Sequence, residues 1–152
     1  MNRDEKTKRA IQNLLNGQKL AVLSTQSREG TPYASLVAFI ADPDLKQLVF
    51  ATSQHTRKFA NITANNHVAL LVHSGSNRES DFHEAAAVTI TGVAEIMDSR
   101  LRGQLLPAYL EKHPYLEDFV TSPSCAAIRV RTKSFFLVEN FQKVTELHIQ
   151  DD

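Results

Sequence analysis

Apolar residues change their period several times along the chain, and each change marks an element. Over residues 4–16, Ala10, Ile11, Leu14 and Leu15 recur at one-, three- and four-residue intervals, the stripe of a helix, and Gly17 stands where helices often end on glycine. Residues 19–25, 33–40 and 47–52 then read as three strands. Arg28-Glu29-Gly30 and Asp42-Pro43-Asp44 separate them with turn chemistry, predicting an antiparallel meander. Residues 54–65 return to a helical period with Phe59 and Ile62, and 68–73 form a Val- and Leu-rich strand. Over 85–97, Ala86, Val88, Ile90, Ala94 and Ile96 share one face while Thr89, Thr91 and Glu95 share the other, the alternation of a half-buried strand. Gly92 interrupts the inward set and predicts a bulge or barrel corner.

The remainder is helical over 99–120, with Pro107 expected to end or kink a first segment and Pro114 to open a second. Residues 126–132 and 135–141 read as two strands, and 144–149 as a third. Six to eight strands with hairpin-length links predict a mainly β fold, an antiparallel barrel with helices packed outside it.

The length of 152 residues fits one domain, 1–152. Seventeen Lys and Arg balance seventeen Asp and Glu, which argues against nucleic-acid binding by bulk charge. The single Cys125 excludes an internal disulfide and a thiolate metal cage, and beside Ala126 and Ala127 it reads as a small buried hydrophobe. The longest apolar run, Leu36 to Ala41, is six residues against the ~20 that span a bilayer. A cytoplasmic protein without membrane attachment is expected, which makes the Asn61-Ile62-Thr63 sequon a chance match.

No phosphate-loop, dinucleotide, nucleophile-elbow, HExxH, CxxC or EF-hand motif occurs, and none of the six histidines pairs at i, i+4. No metal site is expected. The informative stretch is acid-free: Leu45 to Arg78 holds no Asp or Glu in 34 residues but carries Lys46, Arg57, Lys58 and Arg78. At its centre, between a predicted strand and a predicted helix, lie Thr52, Ser53, Thr56, Arg57 and Lys58. Three short hydroxyls, two cations and the free N–H groups of a helix start are what a phosphate dianion requires. The same residues also read as an N-cap followed by a solvated helix face.

Four segments together resemble the pyridoxamine 5′-phosphate oxidase-like flavoproteins, the FMN-binding split-barrel group: Ala21-Val22-Leu23-Ser24-Thr25 with Gly30-Thr31-Pro32 and Ser35-Leu36-Val37; Val49-Phe50-Ala51-Thr52 with Thr56-Arg57-Lys58; Asn65-Asn66-His67-Val68-Ala69-Leu70; and Val88 to Glu95. The resemblance covers roughly 10–145. It implies that Thr56-Arg57-Lys58 holds the FMN phosphate and that Thr52 is the strand-end hydroxyl beside the flavin. It also implies that the Ser35, Leu36 and Val37 backbone faces the isoalloxazine ring, and that FMN sits between two subunits of a homodimer. The sequence departs from the true oxidases. Their strand cations fall near Ser35 and Ile40 here, and a ring-contacting Gln corresponds to Ala87. Their Trp position falls at Phe136 or Leu137, and the C-terminal Arg-x-His-x-Arg is absent around Lys143 to Leu147. The phosphate site is retained and the pyridoxamine phosphate site is not. The expected function is an FMN-dependent oxidoreductase acting on a small molecule, with no side chain assigned as acid or base. The alternatives are a non-enzymatic flavin or haem carrier or electron-transfer protein, with His73, His83 and His148 as candidate axial ligands for haem, and a deazaflavin-binding barrel. The segment from Phe135 to Val144 resembles a haem-handling branch of the same family.

Overall fold

The computed structural model describes residues 2–150. Helix α1 (Arg3–Gly17) opens the chain. Asn2 caps it by accepting the Glu5 N–H at 2.8 Å, and Asp4 and Glu5 place negative charge at its positive end. Ile11, Leu14 and Leu15 are buried, so the apolar stripe is the core face. Gly17 is the last helical residue and adopts no left-handed turn; the chain leaves through an extended Gln18.

Strands β1 (Leu20–Gln26), β2 (Pro32–Ala41) and β3 (Gln47–Ser53) form the expected antiparallel meander. The second turn places Leu45 at φ 61°, which a bulky residue resists. Its side chain is buried in the core, and Thr132 Oγ1 donates to its carbonyl, so packing holds the turn. Then come α2 (Arg57–Ala64), β4 (His67–His73), the short α3 (Asp81–Glu84) and β5 (Ala86–Ile96). Helix α4 (Ser99–Lys112), a 3-10 turn at Pro114–Leu116, α5 (Glu117–Thr121), β6 (Cys125–Glu139) and β7 (Lys143–His148) complete the chain.

The sheet order is β3-β2-β1-β4-β5-β6-β7, and β3 also pairs with β6. That pairing closes the first six strands into an antiparallel barrel, leaving β7 beside β6. The fold is therefore mainly β with peripheral helices. Phe39, Phe50, Phe135, Leu23, Leu70 and Ile90 are fully buried in one cluster, which Ile11 and Leu15 of α1 and Ile62 of α2 join. A second cluster, Tyr109, Val120 and Cys125, packs under α4 and α5 against Ala38, Ile40 and Ala51 of the barrel wall.

Three expectations are corrected. Pro107 does not end α4, which runs unbroken to Lys112. The helix forfeits one backbone bond there. It is pinned on both sides of the proline: Arg102 donates to the carbonyls of Cys125 and Val120, and the Tyr109 hydroxyl to that of Ala38. Residues 126–132 and 135–141 are not two strands but lie largely within the 15-residue β6. Thr91 faces Ser134 while Gly92 faces Thr132, so Lys133 is an extra residue that the sheet absorbs as a bulge. The bulge predicted at Gly92 thus also carries the partner strand through its polar interruption. Ile96 is not inward: it ends β5 half exposed, and Met97 takes the buried place.

Candidate cofactor site at the barrel seam

Strands β2 and β3 pair only where Phe39, Ile40 and Ala41 face Phe50, Val49 and Leu48. Beyond Phe39, Ser35, Leu36 and Val37 pair with β1 alone, and Ala51, Thr52 and Ser53 pair with β6 alone. The barrel wall is split there. The Phe39 N–H bonds Lys19 on the β1 side, and the Asp42 N–H bonds Gln47 on the β3 side. Strand alternation therefore turns the N–H and C=O groups of Ala38 and Leu36 toward the seam.

At Ala38 the seam is bridged. The Tyr109 hydroxyl donates to the Ala38 carbonyl at 2.9 Å, and Ala51 of the other strand packs against the same tyrosine cluster. Burial pushes this phenol up to about 12, so it remains a donor. At Leu36 the ladder has ended and its peptide groups face the opening; its side chain is 62% exposed. Beside it, Ser35 Oγ is a buried hydroxyl with no hydrogen-bond partner among the described residues. A native protein rarely leaves such a group without one unless a ligand or water completes it.

The start of α2 lies across the seam from β2. Thr56 is its N-cap and accepts the Phe59 N–H at 3.3 Å. Its hydroxyl donates to the Ser53 carbonyl at 2.9 Å and lies 3.1 Å from that of Thr52, which also contacts the Ser53 carbonyl. Thr52 is buried, and Thr56 serves the helix end in the way the capping alternative expects. Ser53 Oγ accepts the His55 N–H at 3.2 Å and keeps its own proton for another acceptor. Arg57 and Lys58 occupy the first two helical positions, and no acid stands in the first turn. Two cations at the positive end of a helix are unfavourable in isolation, so the arrangement calls for an anion. The N–H groups of Arg57 and Lys58 have no acceptor among the described residues. The Arg57 guanidinium lies 5.7 Å from the centroid of the Tyr33 ring, which joins α2 to β2 over the split.

The structure therefore brings Arg57, Lys58 and Ser53 to one corner and Ser35, Leu36 and Val37 to the strand beside it, while Thr52 and Thr56 build the turn between. These residues fit a phosphate-bearing planar cofactor: cations and amides for the phosphate, an open strand edge and an orphan hydroxyl next to it. Sequence reasoning missed Tyr33 and Tyr109, because an aromatic in a strand or helix signals only core. The histidines differ in availability. His73 Nδ1 accepts the Gly75 N–H at 3.0 Å. His148 engages both ring nitrogens, with Ser134 at 2.8 Å and Glu146 at 3.1 Å. The exposed His83 makes no side-chain hydrogen bond among the described residues. No group of three or more His, Cys, Asp or Glu suited to a metal ion occurs among the described residues. Likewise, among them no helix is long and apolar enough to cross a membrane.

Residues 7–139 match the protein family described as pyridoxamine 5′-phosphate oxidase. The comparison with curated proteins found no match. Several solved structures share the fold. A heme binding protein from Mycobacterium smegmatis superposes with TM-score 0.82 at 16% identity, over 93% of this chain and 57% of its own. This chain therefore spans little more than half of that protein. HutZ, the heme storage protein from Vibrio cholerae, gives 0.71 at 19% identity over 82% of this chain and 89% of its own. A Clostridium acetobutylicum protein related to general stress protein 26, of the pyridoxinephosphate oxidase family, gives 0.72 at 19% identity over 96% of each chain.

Proposed function

The chain belongs to the pyridoxamine 5′-phosphate oxidase family, and from that premise we propose that it binds FMN at the seam and acts as an oxidoreductase on a small molecule. The observation that carries this is the start of α2, where Arg57 and Lys58 stand without a neutralising acid beside an open strand edge. Arg57 offers a planar fork to two phosphate oxygens and Lys58 a mobile point charge. On this reading the Leu36 N–H donates to a ring laid along β2. The flavin, when bound, supplies the electron-transfer chemistry, and the protein orients it. Ser35, Ile40 and Ala87 provide none of the charged or amide groups expected for pyridoxamine phosphate, so the substrate is a different small molecule.

The reading includes a homodimer. Leu36, Val22 and Leu71 lie side by side across β2, β1 and β4. With Leu20 they leave an apolar face in which Leu20, Leu36 and Leu71 are 52%, 62% and 37% exposed. A second copy would cover it and complete the cofactor site. A light-scattering mass near 17.0 kDa with flavin present would overturn the dimer.

Titration with FMN and with riboflavin tests the cofactor. The contacts argued here are to the phosphate, and each charge-assisted hydrogen bond contributes about 1.5–3 kcal/mol. FMN should therefore bind at least tenfold more tightly, and equal affinities would reduce the α2 start to a helix cap. Haem is the second reading, favoured by the fold shared with the mycobacterial and Vibrio proteins. It needs a ring nitrogen with a free lone pair; His73 and His148 are committed, which leaves His83. The absorption spectrum of freshly purified protein separates flavin from haem. Stopped-flow reduction by NADH or NADPH separates an enzyme from a carrier, because a carrier need not accept hydride.

A further inference from the structure

A groove of about 550 Å³ runs between α1 and the hairpin of β6 and β7. Two periods build it. Arg3, Lys6, Thr7 and Ala10 stand three and four residues apart and share one face of α1. Across from them, Glu139 pairs with Lys143 and the buried Leu137 with Thr145, so Lys143 and Thr145 lie on the inner face of the sheet. The apolar row of Leu36, Val22 and Leu71 continues through Thr89 and Phe136 to Glu146, on the opposite face. The groove is therefore separate from both the seam and the face assigned to a second copy.

Its lining is cationic. Arg3, Lys6 and Lys143 stand against one acid, Glu139, and neither Asp4 nor Glu5 lines the groove. None of the three cations makes a hydrogen bond or ion pair among the described residues, although Glu139 faces Lys143 across the hairpin. Three exposed cations alone describe a solvated surface; Thr145 adds a second observation. Its side chain lines the groove at 8% exposure, and its hydroxyl has no hydrogen-bond partner among the described residues. A hydroxyl buried in this way carries a cost that a bonded guest removes. Thr7, by contrast, is committed to its own helix, donating to the Arg3 carbonyl at 3.0 Å.

We propose that this groove binds the phosphate monoester of a sugar or polyol. Three cations and one carboxylate leave two positive charges, matching a phosphate dianion. Arg3 offers a planar fork, Lys6 and Lys143 offer point charges, and the Thr145 hydroxyl adds a neutral donor. Glu139 repels the phosphate and accepts from hydroxyl groups, which sets the direction in which the body of the ligand lies. The volume falls in the range of small-molecule sites and exceeds what phosphate alone would fill. No aromatic side chain lines the groove, so a nucleobase finds no surface to stack on.

The test is isothermal calorimetry of the full chain with ribose 5-phosphate, ribose and inorganic phosphate. The start of α2 also attracts phosphate, so each titration is repeated in Arg57→Ala with Lys58→Ala. Binding in the groove should survive that double change, whether or not the seam holds FMN. Saturable binding of ribose 5-phosphate is expected, about tenfold or more tighter than ribose or inorganic phosphate. Arg3→Gln and Lys143→Gln, both at exposed positions, should each weaken it by about tenfold or more. Thr145→Val removes the hydroxyl at constant shape. It should weaken binding a few-fold and melt no lower than wild type, because no hydrogen bond within the chain is lost. Absent binding, or binding unchanged in Arg3→Gln and Lys143→Gln, would overturn the proposal. So would binding lost only in the Arg57 and Lys58 double variant, which would assign the sugar phosphate to the seam. Ribose or inorganic phosphate bound as tightly would overturn the ligand class. A lowered melting temperature with unchanged affinity in Thr145→Val would make that hydroxyl structural and overturn its part in the site.

Discussion

The Arg57 guanidinium rests 5.7 Å from the centre of the Tyr33 ring, so a helix-start cation is held from the strand across the split. A cation over an aromatic face gains about 0.5–1 kcal/mol at an exposed site. On the proposed reading, Tyr33 positions Arg57 toward the FMN phosphate. Tyr33→Leu should weaken FMN binding a few-fold, and Tyr33→Phe, which keeps the ring, should restore it. If the two substitutions behave alike, the ring does not act through Arg57.

Replacing both cations tests the corner itself. Arg57→Ala with Lys58→Ala should weaken FMN by roughly 3–6 kcal/mol, with each single change giving part of the loss. The fold should persist, because positive charge at a helix start is not stabilising. Circular dichroism with FMN titration checks both halves; undiminished affinity in the folded double variant contradicts the site.

Tyr109 links the two strands where their ladder has parted. Tyr109→Phe leaves the Ala38 carbonyl without its buried donor and should cost about 1–3 kcal/mol of stability. Urea melts measure it. A loss confined to a few tenths would mean that water replaces the hydroxyl.

Lys112 gives a pH signature. Its ammonium donates to the Leu15 carbonyl at 3.1 Å and lies 4.0 Å from the Phe39 ring centre. Burial, with a smaller contribution from the Lys19 charge, lowers it from 10.5 to about 8. Between about 8 and 10.5 the unfolded chain holds the proton that the folded chain has released. Stability contributed by this group therefore rises as pH climbs through that window, and below it the full cost of burying charge applies. In Lys112→Met the melting-temperature difference, variant minus wild type, should fall between pH 7 and pH 10. A constant difference would show that the amine is as well solvated folded as unfolded.

Gly92 is a steric requirement. A Cβ there would stand 2.5 Å from the Arg131 carbonyl oxygen and 2.7 Å from Val130 Cγ1, and the first of these is strand backbone. Gly92→Ala should destabilise by about 1–3 kcal/mol or more, as overpacking does. A thermal melt suffices to check it.

Much of this architecture is legible in the sequence because its signals are local. Asp42-Pro43-Asp44 marks one hairpin, Val88 to Ala94 alternates cleanly, and Gly92 breaks an inward set. The split itself leaves no such trace: residues on both sides of it are apolar or small, and only the pairing register shows where β2 and β3 part. Residues 126–132 and 135–141 read as separate strands because the bulge at Lys133 is a property of two strands read together. Pro107 looked like a stop because the contacts that hold α4 around it come from Ala38, Val120 and Cys125, remote in sequence. Arg57 and Lys58 were visible as a charge pattern, whereas the vacant hydrogen-bonding capacity of Ser35 exists only once its neighbours are in place.

The length of β6 has a kinetic consequence. One 15-residue strand pairs with β3 through Cys125–Arg131, with β5 through Ile128–Glu139 and with β7 through Ser134–Glu139. Until it arrives, β3 and β5 each lack a neighbour, and the closing contacts join residues more than 70 positions apart, such as Ser53 and Cys125. Such long-range pairing folds slowly. During synthesis the first 124 residues would present two open sheet edges to the cell, so barrel closure is a late, nearly single event, and a nascent chain stalled before β6 is the form most exposed to aggregation.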